Sequence, residues 1–197
     1  MFMSSNFNFS FLLYDLFMRI FYRYIVEPTY LFKLLIIGDR EVGRRTFLRE
    51  SIDDNFFVED YIETVGVDIY RKELIVEEGV IDLMIWNVST KETFGTLLTS
   101  YINTSDGVLL MFDITNLSTL YFLSKYPQLI REKAGEIPIL LVGNKLDLKW
   151  KREVYVEEGA AFARGNDLLD YIEVSAKTGK DCEKILEVLV ENILVQF

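Results

Sequence analysis

Short runs of apolar residues alternate with amphipathic stretches along most of the chain. The runs predict six β-strands, at residues 31–37, 67–76, 80–86, 108–112, 137–142 and 171–174. Apolar residues at helical spacing predict α-helices at residues 45–52, 117–133, 156–164 and 182–194. The second and third strands can form a hairpin through Glu77-Glu78-Gly79, whereas most of the others are separated by helices. This alternation predicts an α/β fold, with a mostly parallel sheet covered by helices on both faces.

The N-terminal segment differs from the rest of the chain. Residues 7–26 are dominated by Phe, Leu, Tyr and Ile, and on a helix Asp15, Arg19 and Arg23 would form one narrow polar stripe. The length suits a transmembrane helix, but each charge near its centre would cost about 2.5–3.5 kcal/mol. We therefore expect an amphipathic helix whose apolar side lies in a membrane, in a partner's groove or against the chain's own domain.

Composition narrows the possible functions. Half of the residues are hydrophobic, which supports a buried core, and the net charge is −10 with a pI near 4.6. That acidic balance argues against a nucleic-acid partner, although backbone dipoles can still bind one nucleotide in a pocket. The chain has no histidine, which excludes histidine catalysis and histidine metal ligands. The single Cys182 forbids an internal disulfide and suits a reducing, cytoplasmic compartment.

A glycine-containing loop follows the first predicted strand and opens the first predicted helix. Gly38 and Gly43 have the spacing of the phosphate-binding motif G-x-x-x-x-G-K-[ST], in which backbone amides and a helix N-terminus bind phosphate. Arg44 stands where the motif has lysine, and Arg45 stands where a hydroxyl would ligate magnesium. The alternatives are that the two guanidiniums neutralise phosphate with less need of metal, or that the loop has lost phosphate binding. The candidate phosphate-binding residues are Gly38, Val42, Gly43, Arg44, Arg45 and Thr46.

The opening of this domain resembles that of Rab proteins, in the Ras superfamily of small GTPases. Residues 30–39 read Tyr-Leu-Phe-Lys-Leu-Leu-Ile-Ile-Gly-Asp, and the resemblance extends to about residue 195. It implies a three-layer P-loop NTPase fold with a six-stranded, mostly parallel sheet. The domains are then an N-terminal amphipathic segment at residues 1–29 and a Ras-like domain at residues 30–197.

Two further motifs match the family's guanine-recognition pocket. The stretch Asn144-Lys145-Leu146-Asp147 matches the family's guanine motif, and Ser175-Ala176-Lys177 matches the loop whose backbone reads the guanine oxygen. An aspartate accepts two hydrogens from guanine and rejects adenine, because a mismatch leaves buried groups unpaired. The resemblance therefore implies GTP or GDP as cofactor. The candidate guanine-binding residues are Asn144, Lys145, Asp147, Ser175, Ala176 and Lys177.

The two switch regions match the family's sequences to different extents. Residues 55–69 are similar to the Rab first switch, in which the threonine closes over the third phosphate and magnesium, so Thr64 is a candidate phosphate and metal ligand. In the second switch, Asn87 replaces a magnesium-binding aspartate, Thr90 a glycine, and Lys91 the glutamine that orients the attacking water. We therefore name no confident catalytic residue and regard magnesium as doubtful.

These features favour a guanine-nucleotide switch or scaffold, acting in signalling or vesicle trafficking, with weak or lost hydrolysis. The alternatives are a nucleotide-free pseudo-GTPase that works as an interaction module, and a competent GTPase that uses non-standard residues. Effector or regulatory proteins are expected to bind through residues 56–67 and 87–97. The chain end lacks a prenylation cysteine, so residues 7–26 are the visible candidate for peripheral attachment of this cytoplasmic protein to a membrane.

Overall fold

The computed structural model describes residues 29–52, 67–76, 79–88 and 95–196. Within these ranges the chain forms one six-stranded sheet, in the spatial order β2-β3-β1-β4-β5-β6. Every neighbouring pair is parallel except β2 with β3. This confirms the predicted α/β architecture. The strands are β1 (Tyr30–Gly38), β2 (Val67–Val76), β3 (Gly79–Val88), β4 (Gly107–Asp113), β5 (Ile139–Asn144) and β6 (Asp170–Glu173).

Helices connect the strands and cover both faces of the sheet. The α-helices are α1 (Arg44–Ser51), α2 (Gly95–Ile102), α3 (Leu117–Tyr121), α4 (Tyr126–Ala134), α5 (Val156–Gly165) and α6 (Cys182–Leu194). Short 3-10 helices occupy Phe122–Lys125 and Leu146–Lys151. The predicted turn at Glu77 and Glu78 lies outside the described residues, but β2 and β3 pair antiparallel along their whole lengths, as a hairpin requires.

Two apolar cores lie on opposite faces of the sheet. Leu34 and Ile36 of β1 pack with α1 and α6, whereas the alternate residues Leu35 and Ile37 pack with α2, α3, α4 and α5. All four side chains are fully buried, and each such burial is worth about 1.5–3 kcal/mol relative to exposure. The near-continuous apolar sequence of β1 follows directly from this burial on both faces.

Three elements differ from the sequence prediction. The helix predicted at residues 117–133 is divided into α3, a 3-10 turn and α4, because Pro127 has no N–H with which to continue the helical ladder. Helix α2 was not predicted. Strand β5 begins two residues later than predicted, after Pro138, whose carbonyl accepts a hydrogen bond of 3.0 Å from the Val108 N–H.

The predicted amphipathic helix at residues 7–26 lies outside the described residues. Within the described part of the chain, no helix combines the length and the apolar character needed to cross a bilayer.

Candidate functional site

The predicted site residues follow the carboxyl ends of the parallel strands. Strand β1 leads into the phosphate loop, β5 into Lys145 and Asp147, and β6 into Ser175 to Lys177. Because β1, β4, β5 and β6 run parallel, these loops emerge along one edge of the sheet. The structure therefore brings the predicted phosphate-binding and guanine-binding motifs to the same edge.

The phosphate loop has the backbone geometry that its two glycines permit. Gly43 lies in the left-handed region at φ 92°, immediately before α1, and a side chain there would be strained. A Cβ at Gly38 would collide with the Met111 carbonyl of β4, so the loop leaves β1 in close contact with the neighbouring strand. The Phe47 N–H donates to the Gly43 carbonyl at 2.9 Å and starts the helical ladder. The N-terminal amides of α1, with Thr46 in its first turn, provide a positive dipole for an anion.

Asn144 joins the phosphate loop to the predicted guanine loop. Its Nδ2 donates to the Val42 carbonyl at 2.8 Å, and its Oδ1 accepts from the Ala176 N–H at 2.9 Å. The side chain is 1% exposed. A Cβ at Gly43 would lie 2.5 Å from the same Nδ2, which explains why the loop needs glycine beside this contact. One buried amide therefore fixes the distance between the two halves of the site.

Asp147 is held in place by the second guanine motif. Its Oδ1 accepts a hydrogen bond of 2.8 Å from Ser175 Oγ, and its Oδ2 lies 4.0 Å from Lys177 Nζ. The Leu146 N–H donates to the Val174 carbonyl at 3.0 Å, which ties the backbones of the two loops together. The aspartate side chain is thus oriented before any base binds.

Lys145 pairs with a buried aspartate at the end of β4. Its Nζ lies 2.6 Å from Asp113 Oδ2, while Asp113 Oδ1 accepts from the N–H and hydroxyl of Thr115. The residue adopts a left-handed backbone conformation at φ 71°. Both features hold the start of the Leu146–Lys151 turn beside β4, and they place the lysine at the edge of the guanine site.

A partly buried polar cluster lies beside the predicted guanine-binding loops. Arg152 makes a bidentate pair with Glu173, at 2.5 and 2.7 Å, and the Tyr171 hydroxyl donates to Glu173 Oε1 at 2.6 Å. Burial alone would raise the pKa of Glu173, but the hydrogen bonds from Arg152 and Tyr171 outweigh it, and the pKa is lowered. Burial and the contact with Glu173 raise the pKa of Tyr171. The cluster ties the residue after the Leu146–Lys151 turn to β6.

Arg44 is a desolvated cation. Its Nη1 donates to the Val88 carbonyl at 2.5 Å, at the end of β3, and no carboxylate of the described ranges forms an ion pair with it. Burial, together with repulsion from Arg45, lowers its pKa to about 10. A buried guanidinium without a carboxylate is costly, and a bound anion would remove that cost.

Arg45 pairs instead with an aspartate of β2. Its Nε lies 3.0 Å from Asp68 Oδ2, and the same oxygen accepts a hydrogen bond of 2.9 Å from Asn87 Nδ2. Asp68 and Asn87 are each 6% exposed. The amide oxygen of Asn87 is buried and has no hydrogen-bond donor among the residues that the structure describes.

Among the described residues, the side chains at positions 45, 68 and 87 offer few oxygen ligands for magnesium. Mg²⁺ requires oxygen ligands in near-octahedral geometry, usually one or two carboxylates together with substrate phosphates. Arg45 offers only N–H donors, and Asp68 Oδ2 already accepts two hydrogen bonds, which leaves the neutral amide oxygen of Asn87 without a donor among the described residues. A cation beside Asp68 Oδ2 would lie next to the Arg45 guanidinium, which repels it.

Some predicted residues lie outside the described ranges. These include Thr64, Lys91 and most of the surfaces at residues 56–67 and 87–97, so their roles stay predictions. Sequence reasoning missed Asp68 as the partner of Arg45 and the support by Arg152. The sequence did contain a signal for the Arg45–Asp68 pair. Relative to the family motifs, Arg45 adds one positive charge and Asn87 removes one negative charge.

Comparison with known proteins agrees with this geometry. The Ras family model matches residues 33–195 of the chain. The chain is also 38% identical over 173 residues to the Ras-related protein Rab-10 of Diplobatis ommata, covering 86% of this chain and 86% of that protein.

Proposed function

We propose, from the premise that the chain belongs to the Ras family and is a Rab-like small GTP-binding protein, that it is a guanine-nucleotide switch or scaffold with weak or lost hydrolysis. The observation that carries the proposal is the Asn144 bridge. It links the phosphate loop to the loop at Ala176 through two hydrogen bonds in a buried position. A site with both halves fixed before binding loses less conformational entropy when the nucleotide enters.

Base selection rests on Asp147. The Ser175 hydroxyl orients its carboxylate, so the carboxylate can accept the two N–H donors on the guanine edge. Adenine presents an acceptor where guanine presents a donor, and it would leave the carboxylate desolvated and unpaired. The pocket should therefore prefer guanine strongly.

Phosphate binding rests on the loop backbone and on Arg44. The loop amides and the N-terminus of α1 do not depend on any side chain, so they persist despite the substitutions at positions 44 and 45. Arg44 adds a desolvated positive charge that lacks a carboxylate partner among the described residues. A phosphate group would supply the missing anion.

Weak hydrolysis follows from what catalysis needs beyond binding. Transition-state stabilisation requires placed charge and an oriented water, whereas affinity can come from base contacts and backbone amides. The sequence has Lys91 at the position of the water-orienting glutamine, and Asn87 supplies an amide in place of a carboxylate. We therefore expect this protein to keep its affinity for guanine nucleotide while its rate of GTP hydrolysis is low.

A nucleotide-free interaction module is the second candidate. The Arg45–Asp68 ion pair and the Arg44 bond to Val88 both form within the protein itself, and each must adjust if phosphate enters. In this alternative the two arginines hold the start of β2 and the end of β3 in place. The neighbouring surfaces, residues 56–67 and 87–97, would then bind a partner protein. A competent GTPase that uses non-standard residues is the third possibility, and the rate measurement below distinguishes it.

Peripheral membrane attachment through residues 7–26 is part of the proposal. A family member that acts in trafficking has to reach a membrane, and this segment combines aromatic and aliphatic residues with almost no net charge. Deleting residues 1–29 should abolish co-sedimentation with neutral phospholipid vesicles. Unchanged co-sedimentation of the shortened chain would contradict the attachment.

Titration with fluorescent GDP and GTP tests the proposed binding. We expect dissociation constants of about micromolar or tighter, corresponding to about −8 kcal/mol, and displacement by unlabelled GDP but not by ADP. Single-turnover hydrolysis of bound GTP should be slower than about 10⁻⁴ s⁻¹. Failure to bind at millimolar nucleotide would favour the interaction module, and faster hydrolysis would favour a competent enzyme.

A further inference from the structure

We propose that the guanidinium of Arg45, held by Asp68, replaces the divalent cation of the nucleotide site, so that this protein binds guanine nucleotide without magnesium. The inference rests on the proposed nucleotide binding and concerns the same site. It starts from the poor fit between magnesium and the side chains at positions 45, 68 and 87.

The first argument is the occupancy of Asp68. Its Oδ2 accepts from Arg45 Nε at 3.0 Å and from Asn87 Nδ2 at 2.9 Å. Because Asp68 is 6% exposed, water does not compete well for these hydrogen bonds. The buried carboxylate already has a cation, and that cation is covalently part of α1.

The second argument is that the cluster at positions 45, 68 and 87 is electrically neutral without a metal. Arg45 and Asp68 carry opposite charges, and Asn87 carries none. An aspartate at position 87 would place two carboxylates about a hydrogen bond apart, where they repel each other. The changes at positions 45 and 87 therefore compensate each other.

The third argument is the position of Arg45 on α1. It is the second residue of the helix that begins after Gly43, one position beyond the partly buried Arg44. Its Nε lies 3.0 Å from Asp68 Oδ2, and its side chain is nevertheless 68% exposed. A guanidinium held in this way can donate to phosphate oxygens in the forked geometry that arginine favours.

The consequence is a site whose positive charge does not dissociate. In a metal-dependent site, chelation removes the charge that holds the phosphates, and nucleotide release accelerates. Arg45 cannot be chelated, so release of nucleotide should depend on protein motions or on partner proteins and not on free magnesium.

The test compares nucleotide release with magnesium and with chelator. Full-length protein is loaded with fluorescent GDP, chased with excess unlabelled GDP, and followed in millimolar magnesium or in millimolar EDTA. The wild-type rate should differ by less than about twofold between the two conditions. The double variant Arg45→Ser/Asn87→Asp restores a hydroxyl and a carboxylate, and its release should accelerate more than about tenfold in EDTA.

Arg49→Ser provides the matched control, because Arg49 is an exposed arginine one turn further along α1. It should behave as the wild type does. A wild-type protein whose GDP release is slowed more than about twofold by magnesium would overturn the inference and leave the proposed nucleotide binding intact. A wild-type protein that takes up no nucleotide under either condition would overturn the proposed function itself. If the double variant does not fold, calorimetric titration of magnesium into the wild-type GDP complex decides the question, and we expect no binding heat.

Discussion

Asn144 and Val42 are 102 residues apart in the chain, yet Asn144 Nδ2 donates a hydrogen bond of 2.8 Å to the Val42 carbonyl. The other end of the same amide accepts from Ala176. The phosphate loop, the end of β5 and the loop after β6 are thereby held by one side chain. We regard this contact as the structural centre of the nucleotide site, because it sets the distance between the phosphate and base positions.

Replacement of Asn144 by alanine should therefore weaken both stability and binding. The variant leaves the Val42 carbonyl and the Ala176 N–H without their buried partner, at a cost of about 1–3 kcal/mol in the free energy of unfolding. Because the two halves of the site lose their tie, GDP affinity should fall by about tenfold or more. Urea unfolding and GDP titration measure the two effects. Asn192→Ala is the control, since the hydrogen bond that its amide donates among the described residues, to the Val188 carbonyl, lies within α6, and GDP affinity should be unaffected.

Replacement of Asp147 by asparagine should change base specificity without disturbing the fold. The amide oxygen can still accept from Ser175, but the amide N–H₂ would face the donors of guanine. GDP affinity should fall by about a hundredfold or more, whereas xanthosine diphosphate, which presents an oxygen at that edge, should bind better than to the wild type. Competition titrations with GDP and with xanthosine diphosphate measure this change in base specificity. Equal loss of both nucleotides would show that Asp147 does not read the base.

Replacement of Arg44 by leucine should weaken GDP binding without lowering the stability of the fold. Burial and the neighbouring Arg45 lower its pKa to about 10, so the folded state binds this proton less tightly than the unfolded chain does. Below that pH the buried charge opposes folding. Arg44→Leu should thus leave the free energy of unfolding at pH 7 unchanged or raise it by up to about 2 kcal/mol, while GDP affinity falls by about tenfold or more.

Arg44→Lys is the informative partner of that variant, because it keeps the charge and restores the residue of the phosphate-binding motif. It should retain GDP affinity within a few fold. Loss of binding in the leucine variant together with retention in the lysine variant assigns the effect to charge. If the leucine variant binds GDP as the wild type does, Arg44 has no part in phosphate binding.

The Arg152–Glu173 pair should make stability sensitive to acid. The net lowering of the Glu173 pKa means that its contribution is fully present above its ordinary value of 4.5 and is lost as the pH falls through the folded-state pKa. Arg152→Met leaves the partly buried Glu173 without its cation and should cost about 2–4 kcal/mol at pH 7. The deficit should shrink at acidic pH, as Glu173 takes up a proton and no longer needs the cation.

Urea unfolding of the wild type and of Arg152→Met at pH 7 and at acidic pH measures this effect. Arg164→Met removes an exposed arginine from α5 and should show little change at either pH. A deficit of the same size at pH 7 and at low pH would show that Arg152 acts through packing and not through its charge.

The strands were well predicted from the sequence. Burial on both faces of the sheet leaves continuous apolar runs such as Leu34 to Ile37. Helix α2 was not predicted. That helix has only two turns, and its buried positions Leu98 and Ile102 are too few to establish a helical period by themselves. Pro127 was a signal for the break in the predicted 117–133 helix. It did not locate the break, because a proline is also well tolerated in the first turn of a helix, where its missing N–H is not needed.

The site was predictable in its motifs and not in its ion pairs. The spacing of the phosphate-binding motif predicted Gly38 and Gly43, and the family resemblance predicted Asn144 and Asp147. The structure places all four along one edge of the sheet. Arg45 and Asp68 are 23 residues apart, and Arg44 and Val88 are 44 residues apart. Such partners depend on how α1 lies against β2 and β3. The sequence offers several acidic candidates for Arg45, and it does not indicate which backbone carbonyl accepts from Arg44.

The nucleotide content of the purified protein tests the central claim most directly. The full-length chain is denatured and the released small molecules are separated by chromatography, with Asn144→Ala prepared in parallel. We expect the wild type to release about one guanine nucleotide per protein molecule, directly or after incubation with GDP, and the variant to release markedly less. Wild-type protein that releases no guanine nucleotide and cannot be loaded with millimolar GDP would contradict the claim.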